Sequence, residues 1–153
     1  MSLIDVTDEG LVGAPPEVVF QAVLEFMAGK SSWWTPHVVV RADEEAVPGQ
    51  VGSRAELRIP RRARFSARIE QVEPPSLLRV SYPAGDFRGD GLWIFEPEGT
   101  ATRVRFTWRV TPARWWLRAI APLVQRIHSQ VMTRGFAALD RHLRAQRATR
   151  TAA

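Results

Sequence analysis

Hydrophobic and polar residues alternate with a period of two through the middle of the chain, from His37 to Pro112. The alternation is clearest near its end, where Val104, Phe106 and Trp108 fall on one side and arginines fall on the other. This pattern is typical of strands with one buried and one solvated face. We predict six strands, and the short gaps between them favour antiparallel pairing: residues 37–42, 52–59, 64–72, 77–82, 91–95 and 102–110.

The N-terminal segment predicts a strand followed by two short helices. The strand covers residues 3–12, and the proline pair at positions 15 and 16 then opens a helix because proline is tolerated in a first helical turn. Apolar residues recur at three- and four-residue spacing until Gly29, which ends this helix. A second short helical turn carrying Trp33 and Trp34 is expected to stop before Pro36.

The C-terminal segment predicts a long helix. After Pro112 the apolar residues return to a helical spacing that continues to Leu143. Pro122 predicts a break or restart near the beginning of this run, since proline removes a helical hydrogen bond. We expect the helix to end near Arg144 and the tail, residues 147–153, to fray. Gly135 lies inside the helix and predicts either a close approach of another element or a bend.

The order of elements predicts an α+β protein, and the 153 residues fit a single domain, 1–153. Three motifs support a specific fold: GAPPEVVF at 13–20, VEPPSLL at 72–78 and FEPEGTATRV at 95–104. Each resembles a turn or helix-start motif of the START-like, or SRPBCC, superfamily. The resemblance implies a helix-grip fold, in which a curved seven-stranded antiparallel sheet surrounds the long C-terminal helix. It also implies a cavity that in different members holds lipids, hormones or polyketides, and it makes activity of the polyketide cyclase or dehydrase type one expectation.

The charge does not by itself indicate a nucleic-acid partner. The formal net charge is +5, but Lys30 is the only lysine among 21 basic residues, and many arginines fall on predicted solvated faces. An interaction protein that docks through a basic arginine surface remains an alternative. The N-terminus lacks a signal-peptide pattern, and no window approaches the roughly 20 apolar residues of a membrane span, so we expect a cytoplasmic protein.

Few residues are candidates for chemistry. The chain has no cysteine, and His128 and His142 are too far apart for a helical metal pair, so no metal site and no cofactor are expected. His37 follows the tryptophan turn at the expected mouth of the cavity and is one candidate for acid–base work. Tyr82, the only tyrosine, is the other, because strand alternation directs its phenol inward.

The predicted inner face is aromatic and aliphatic, which favours binding of an apolar small molecule by a carrier or sensor. The alternative is a cyclase or dehydratase-type enzyme that uses His37 or Tyr82. The predicted walls of the ligand site come from four strands, the tryptophan turn and the last helix: Trp33, Trp34, His37, Leu57, Phe65, Ile69, Tyr82, Phe106, Trp108, Leu123 and Ile127.

Overall fold

The computed structural model describes residues 4–152 and has the predicted α+β helix-grip architecture. One antiparallel sheet has the strand order β1-β7-β6-β5-β4-β3-β2. The elements in chain order are β1 Ile4–Val12, α1 Pro16–Met27, β2 Val39–Ala42, β3 Arg54–Ile59, β4 Ala63–Glu73, β5 Leu77–Tyr82, β6 Phe87–Glu98, β7 Ala101–Pro112, α2 Trp115–Ala119 and α3 Ala121–Ala152. The predicted first strand residue, Leu3, lies outside the described residues.

The sheet curves around the long helix, and its inner face forms the core. A register shift between Ile69 and Gln71 interrupts the pairing of β4 with β5, and such irregularities bend a strand and increase its twist. Helix α3 packs on β1, where the absence of a side chain at Gly10 makes room for Phe136: a Cβ there would lie 2.6 Å from the Phe136 ring. Because α3 packs closely on β1, the space for a cavity lies between α3 and the remaining strands of the sheet.

Helix α1 begins as its sequence predicts. Pro15 is extended, Pro16 occupies the first helical position, and Glu17 lies in the first turn. The helix ends before Gly29, whose φ of +72° is a conformation that glycine adopts without a steric penalty. The segment that carries Trp33 and Trp34 forms turns over residues 33–37, so the predicted short helical element is a turn that continues past the expected stop before Pro36.

The Trp34 indole explains the glycine inside the long helix. Its Nε1 donates a hydrogen bond to the carbonyl oxygen of Val131 at 3.1 Å, so the ring lies flat against the helix backbone. A Cβ at Gly135 would lie 2.4 Å from Cε2 of that ring. Gly135 therefore provides a close approach, the first of the two explanations that the sequence left open.

We predict that Gly135→Ala lowers the free energy of unfolding by about 1–2 kcal/mol. Overpacking costs about 1–3 kcal/mol, and the better helix propensity of alanine offsets up to about 1 kcal/mol of it. Urea denaturation of Gly135→Ala, Trp34→Leu and the double variant measures the coupling between the two positions. The same loss from Gly135→Ala in both backgrounds would contradict the contact with Trp34.

The C-terminal segment confirms the restart near Pro122 but is more helical than predicted. Helix α2 ends at Ala119, α3 begins at Ala121, and Pro122 lies in its first turn. The predicted end near Arg144 is wrong, because α3 continues to Ala152 and includes the tail residues 147–152 that were expected to fray. The arginines spaced along this last stretch have helix-favouring side chains, and their charges remain in solvent.

Ion pairs neutralise much of the basic outer face of the sheet. Arg103 is 3.7 Å from Glu9 and 2.6 Å from Glu98, while Arg105 is 3.5 Å from Glu9. Arg109 lies 3.4 Å from Asp5 on the neighbouring strand. Exposed ion pairs of this kind contribute little to stability, because water and salt screen them. Their main consequence is that this face gives little support to an interaction protein that docks through unpaired arginines.

Candidate ligand-binding site

A solvent-open apolar cavity of about 400 Å³ lies at one end of the space between the sheet and α3. We call it the outer cavity. It is bounded by the turn between β3 and β4, by β6 and β7, and by α2 with the first turns of α3. Its walls are mostly apolar and include Ile59, Trp116, Leu117, Ile120, Val124 and Ile127.

A much smaller inner cavity, of about 40 Å³, lies deeper between the sheet and the helix. Ligand pockets usually have volumes of roughly 300–1,000 Å³, so this space is too small for a ligand unless side chains move. Trp108, His128 and Ile59 border both cavities and separate them. Most of the gap between sheet and helix is therefore filled by side chains, and the ligand-sized space is at its open end.

Seven of the predicted wall residues border these cavities. Trp108 borders both, Ile127 borders the outer cavity, and the others border the inner cavity: Trp34, Leu57, Phe65, Tyr82 and Phe106. The aromatic rings among them are packed together, with Phe65 and Tyr82 in edge contact at a centroid distance of 5.2 Å. The predicted residues are thus brought together, but mainly as core packing behind the cavity.

The other four predicted residues border neither cavity. Ile69 is buried in the core, and Trp33 stacks on Trp34 and donates its Nε1 hydrogen to the carbonyl oxygen of Ala22 at 3.1 Å. His37 is half-buried in the turn that follows. Leu123 is 48% exposed and lines neither cavity.

Sequence reasoning missed the residues that close the open end of the site. Trp116 and Leu117 come from α2, and Ile59 and Ala63 come from the two sides of the β3–β4 turn. The signal in the sequence was the short apolar run between Pro112 and Pro122. A run of this length predicts a short helix that cannot span the core. The pattern could not show that this element covers the sheet opening.

His128 is the polar side chain at the boundary between the two cavities. It is buried on α3, and its ring stacks on Trp108 with a centroid distance of 4.1 Å and an interplanar angle of 5°. Its Nδ1 lies 3.4 Å from Oδ2 of Asp8 on β1. Neither of these two buried atoms has a well-aligned hydrogen-bond partner among residues 4–152. The pair places a carboxylate behind an imidazole that faces an apolar cavity.

Burial controls the protonation of this pair. Desolvation lowers the pKa of His128 below its usual value, and this effect outweighs the opposing influence of Asp8. Burial alone would raise the pKa of Asp8, but its interactions with His128 and Ser129 outweigh that effect and lower it. The imidazole is therefore neutral at pH 7, the form that can accept a proton or a hydrogen bond.

We predict that the protein loses stability as the pH falls below the ordinary histidine pKa of 6.5. In this range the unfolded chain binds a proton at His128, whereas the folded protein does not. The free energy of unfolding therefore decreases as the pH decreases. Urea denaturation between pH 8 and pH 5 measures the slope, and His128→Gln should make it shallower. An unchanged slope in that variant would show that His128 does not contribute to it.

The two catalytic candidates from the sequence, Tyr82 and His37, differ in protonation and in position relative to the cavities. Burial, and secondarily the charge of Asp90, raises the pKa of Tyr82 far above its usual range, so its phenol stays protonated and can serve only as a neutral hydrogen-bonding group. His37 lines neither cavity, although its neighbour Val38 lines the inner one. No cluster of three potential metal ligands occurs among residues 4–152, and no helix in that range is long and apolar enough to cross a membrane.

The curved sheet, the long helix and the cavity between them define a START-like protein. The sequence profile of the family described as "Polyketide cyclase / dehydrase and lipid transport" matches residues 4–144. The chain therefore belongs to this family, and the resemblance stated from its motifs is confirmed. No curated protein matches the chain.

Solved structures share the fold at low sequence identity. A protein from Thermus thermophilus, TTHA0849, is 23% identical with a TM-score of 0.76, and the match covers 94% of this chain and 99% of that one. A START superfamily protein from Mycobacterium smegmatis is 15% identical with a TM-score of 0.74 and coverages of 93% and 98%. DynU16, from the dynemicin biosynthetic locus, is 17% identical with a TM-score of 0.61 and coverages of 92% and 47%.

Proposed function

We propose that the protein binds an apolar small molecule in the outer cavity and acts as a carrier or sensor of that molecule. The observation that carries this proposal is the cavity itself, which has the volume and the apolar lining of a ligand pocket. The family description, which includes lipid transport, agrees with this function. The proposal places the ligand closer to α2 than the sequence suggested.

Burial of apolar surface supplies the binding free energy. Each 100 Å² removed from water contributes about 2.5 kcal/mol before the cost of immobilising the ligand. Micromolar affinity corresponds to about −8 kcal/mol, so several hundred Å² of ligand and wall surface must be covered. The exposed faces of Trp116, Ile120 and Ile127 provide wall surface that a ligand would cover. His128, at the floor, offers one hydrogen bond to a hydroxyl or carbonyl group.

The second candidate is an enzyme of the cyclase or dehydratase type. The neutral imidazole of His128, supported by Asp8 and bordering the cavity, is the observation that favours it. A general base of this kind would take a proton from a bound substrate and become an imidazolium beside the carboxylate. His37 and Tyr82 remain the candidates that the sequence proposes, but His128 borders the ligand-sized outer cavity and they do not.

Calorimetric titration of the purified protein with 1-decanol and with naphthalene tests the proposal. We expect a dissociation constant in the micromolar range for at least one of them and a rise in melting temperature on binding. Absence of heat and of stabilisation with both compounds would contradict the binding function. Turnover of an aromatic polyketide precursor that disappears in His128→Gln, while binding of the precursor survives, would favour the enzyme instead.

A further inference from the structure

A second, strongly basic cavity of about 470 Å³ adjoins the outer cavity. We call it the arginine groove and define it by its charged lining: Arg58, Arg61, Arg62, Arg64, Arg114 and Asp86. The groove runs from the β3–β4 turn to the segment just before α2. It therefore lies beside the open mouth of the proposed ligand site, and Arg58 and Arg64 reach it from the outer face of the sheet.

The positive charge of the groove is only partly compensated. Arg114 lies 3.7 Å from Asp86, the one acidic residue in the lining, and Arg58 lies 3.4 Å from Glu56. Within residues 4–152, the remaining three arginines have no carboxylate within 4.0 Å. The arginines on the outer face of β7 are paired with carboxylates, whereas the groove has guanidinium groups available for an anion.

The sheet pairing also holds two of these arginines together. Arg58 on β3 is the direct cross-strand partner of Arg64 on β4. Like charges placed opposite each other destabilise a strand pair, and a bound anion would remove that repulsion. A guanidinium binds a carboxylate or phosphate oxygen through paired N–H donors, which gives both affinity and orientation.

The β3–β4 turn joins the basic and the apolar cavities. Arg61 and Arg62 line both of them, as do Ile59, Ala63, Trp116 and Leu117. Arg61 is the only non-glycine residue among residues 4–152 with a positive φ, +68°. Arg61 is the third residue of the β-turn that the Arg62 N–H closes onto the carbonyl oxygen of Ile59, a position that takes a positive φ in a type II turn. A single molecule could contact both cavities across this shared wall.

We propose that the natural ligand is an anionic amphiphile. Its apolar part fills the outer cavity, and its carboxylate, phosphate or sulfate group binds in the arginine groove. This inference rests on the proposed function, since it assigns the polar end of the same ligand. It specifies the chemical class that the apolar cavity leaves open, and it gives the uncompensated arginines a role.

Decanoate and 1-decanol, which share a ten-carbon chain, separate the two parts of the proposal. Calorimetric titration at pH 7 and low salt should show decanoate binding at least tenfold more tightly than 1-decanol. The preference should shrink as salt is added, because the groove is exposed. The double variant Arg62→Gln/Arg64→Gln removes two arginines that pair with no carboxylate. In this variant the ratio of the dissociation constant of 1-decanol to that of decanoate should fall towards one. Arg147→Gln/Arg150→Gln removes the same charge from the end of α3 and should keep the wild-type ratio.

The contrary outcomes are distinct. Equal affinities for decanoate and 1-decanol in the wild-type protein would overturn the anionic assignment and leave the apolar binding function standing. A tenfold preference that survives in Arg62→Gln/Arg64→Gln would overturn the placement of the anion in the groove. Binding of neither compound would overturn the proposed function itself.

The anionic group could belong to a dissolved amphiphile or to a lipid of a bilayer, and sedimentation with vesicles distinguishes these sources. Trp115 is 78% exposed and lines neither cavity, so a single ligand in these cavities would leave it uncovered, whereas a bilayer surface could contact it. Co-sedimentation with phosphatidylglycerol vesicles, but not with phosphatidylcholine vesicles, that weakens in Trp115→Ala would assign a bilayer lipid. Tight binding of decanoate without co-sedimentation would assign a dissolved amphiphile. Both results support the anionic site.

Discussion

Replacing Ile127 by tryptophan should weaken the binding of 1-decanol by more than about tenfold. Ile127 lines the outer cavity from α3, and the larger indole would occupy space that the ligand needs. A tenfold loss corresponds to about 1.4 kcal/mol, which is the burial of about 60 Å² of apolar surface. Calorimetric titration measures the change without interference from the added tryptophan fluorescence.

Leu123→Trp is the matched control for this prediction. Leu123 lies one helical turn before Ile127 on the same helix, is 48% exposed and does not line the cavity. The control adds the same side chain to α3 at an exposed position outside the cavity lining and should keep the wild-type affinity. Equal losses in the two variants, or unchanged binding in Ile127→Trp, would place the ligand elsewhere.

Truncating Trp108 should produce the largest loss of stability among the tryptophan variants. Trp108 is 2% exposed, stacks on His128 and packs edge-on against Phe87 at a centroid distance of 5.0 Å. Large-to-small substitutions of this kind cost about 3–5 kcal/mol, because they remove buried surface and leave a cavity. We therefore expect Trp108→Ala to lower the free energy of unfolding by this amount in urea denaturation.

Trp115→Ala is the control for Trp108→Ala. Trp115 is exposed on α2, and substitutions at such positions usually change stability by less than about 0.5 kcal/mol. A loss below about 1 kcal/mol in Trp108→Ala would contradict a tightly packed wall between the two cavities. It would instead indicate that the ring is loosely packed and that the inner and outer cavities join.

The sequence predicted the architecture because its signals are local. Proline at the start of α1, Gly29 at its end and the alternation in β7 depend on neighbouring residues alone, and each appears in the structure as expected. The end of α3 was placed too early because the polar stretch after Arg144 has no buried face, although its residues favour a helix. The turn that carries Trp33 and Trp34 was expected to stop before Pro36, and in the structure it continues to His37.

The ligand site was harder to predict because it depends on how side chains fill a space. Alternation correctly directed Phe65, Tyr82 and Phe106 inward, but it could not show that these rings fill one another's space. The ligand-sized cavity remains where no large ring reaches, and this depends on the position of α2 across the sheet. His128 was considered only as a metal ligand, since its neighbour Asp8 is distant in the sequence.

The central claim is that an apolar ligand binds in the outer cavity, and a crystal structure with 1-decanol tests it most directly. The account predicts density for the carbon chain between the β3–β4 turn and the start of α3, in contact with Trp116 and Ile127, with its hydroxyl group towards His128 or the solvent. Density on the outer face of the sheet, or an empty outer cavity with the side chains of Trp108 and His128 unmoved at saturating ligand, would contradict it.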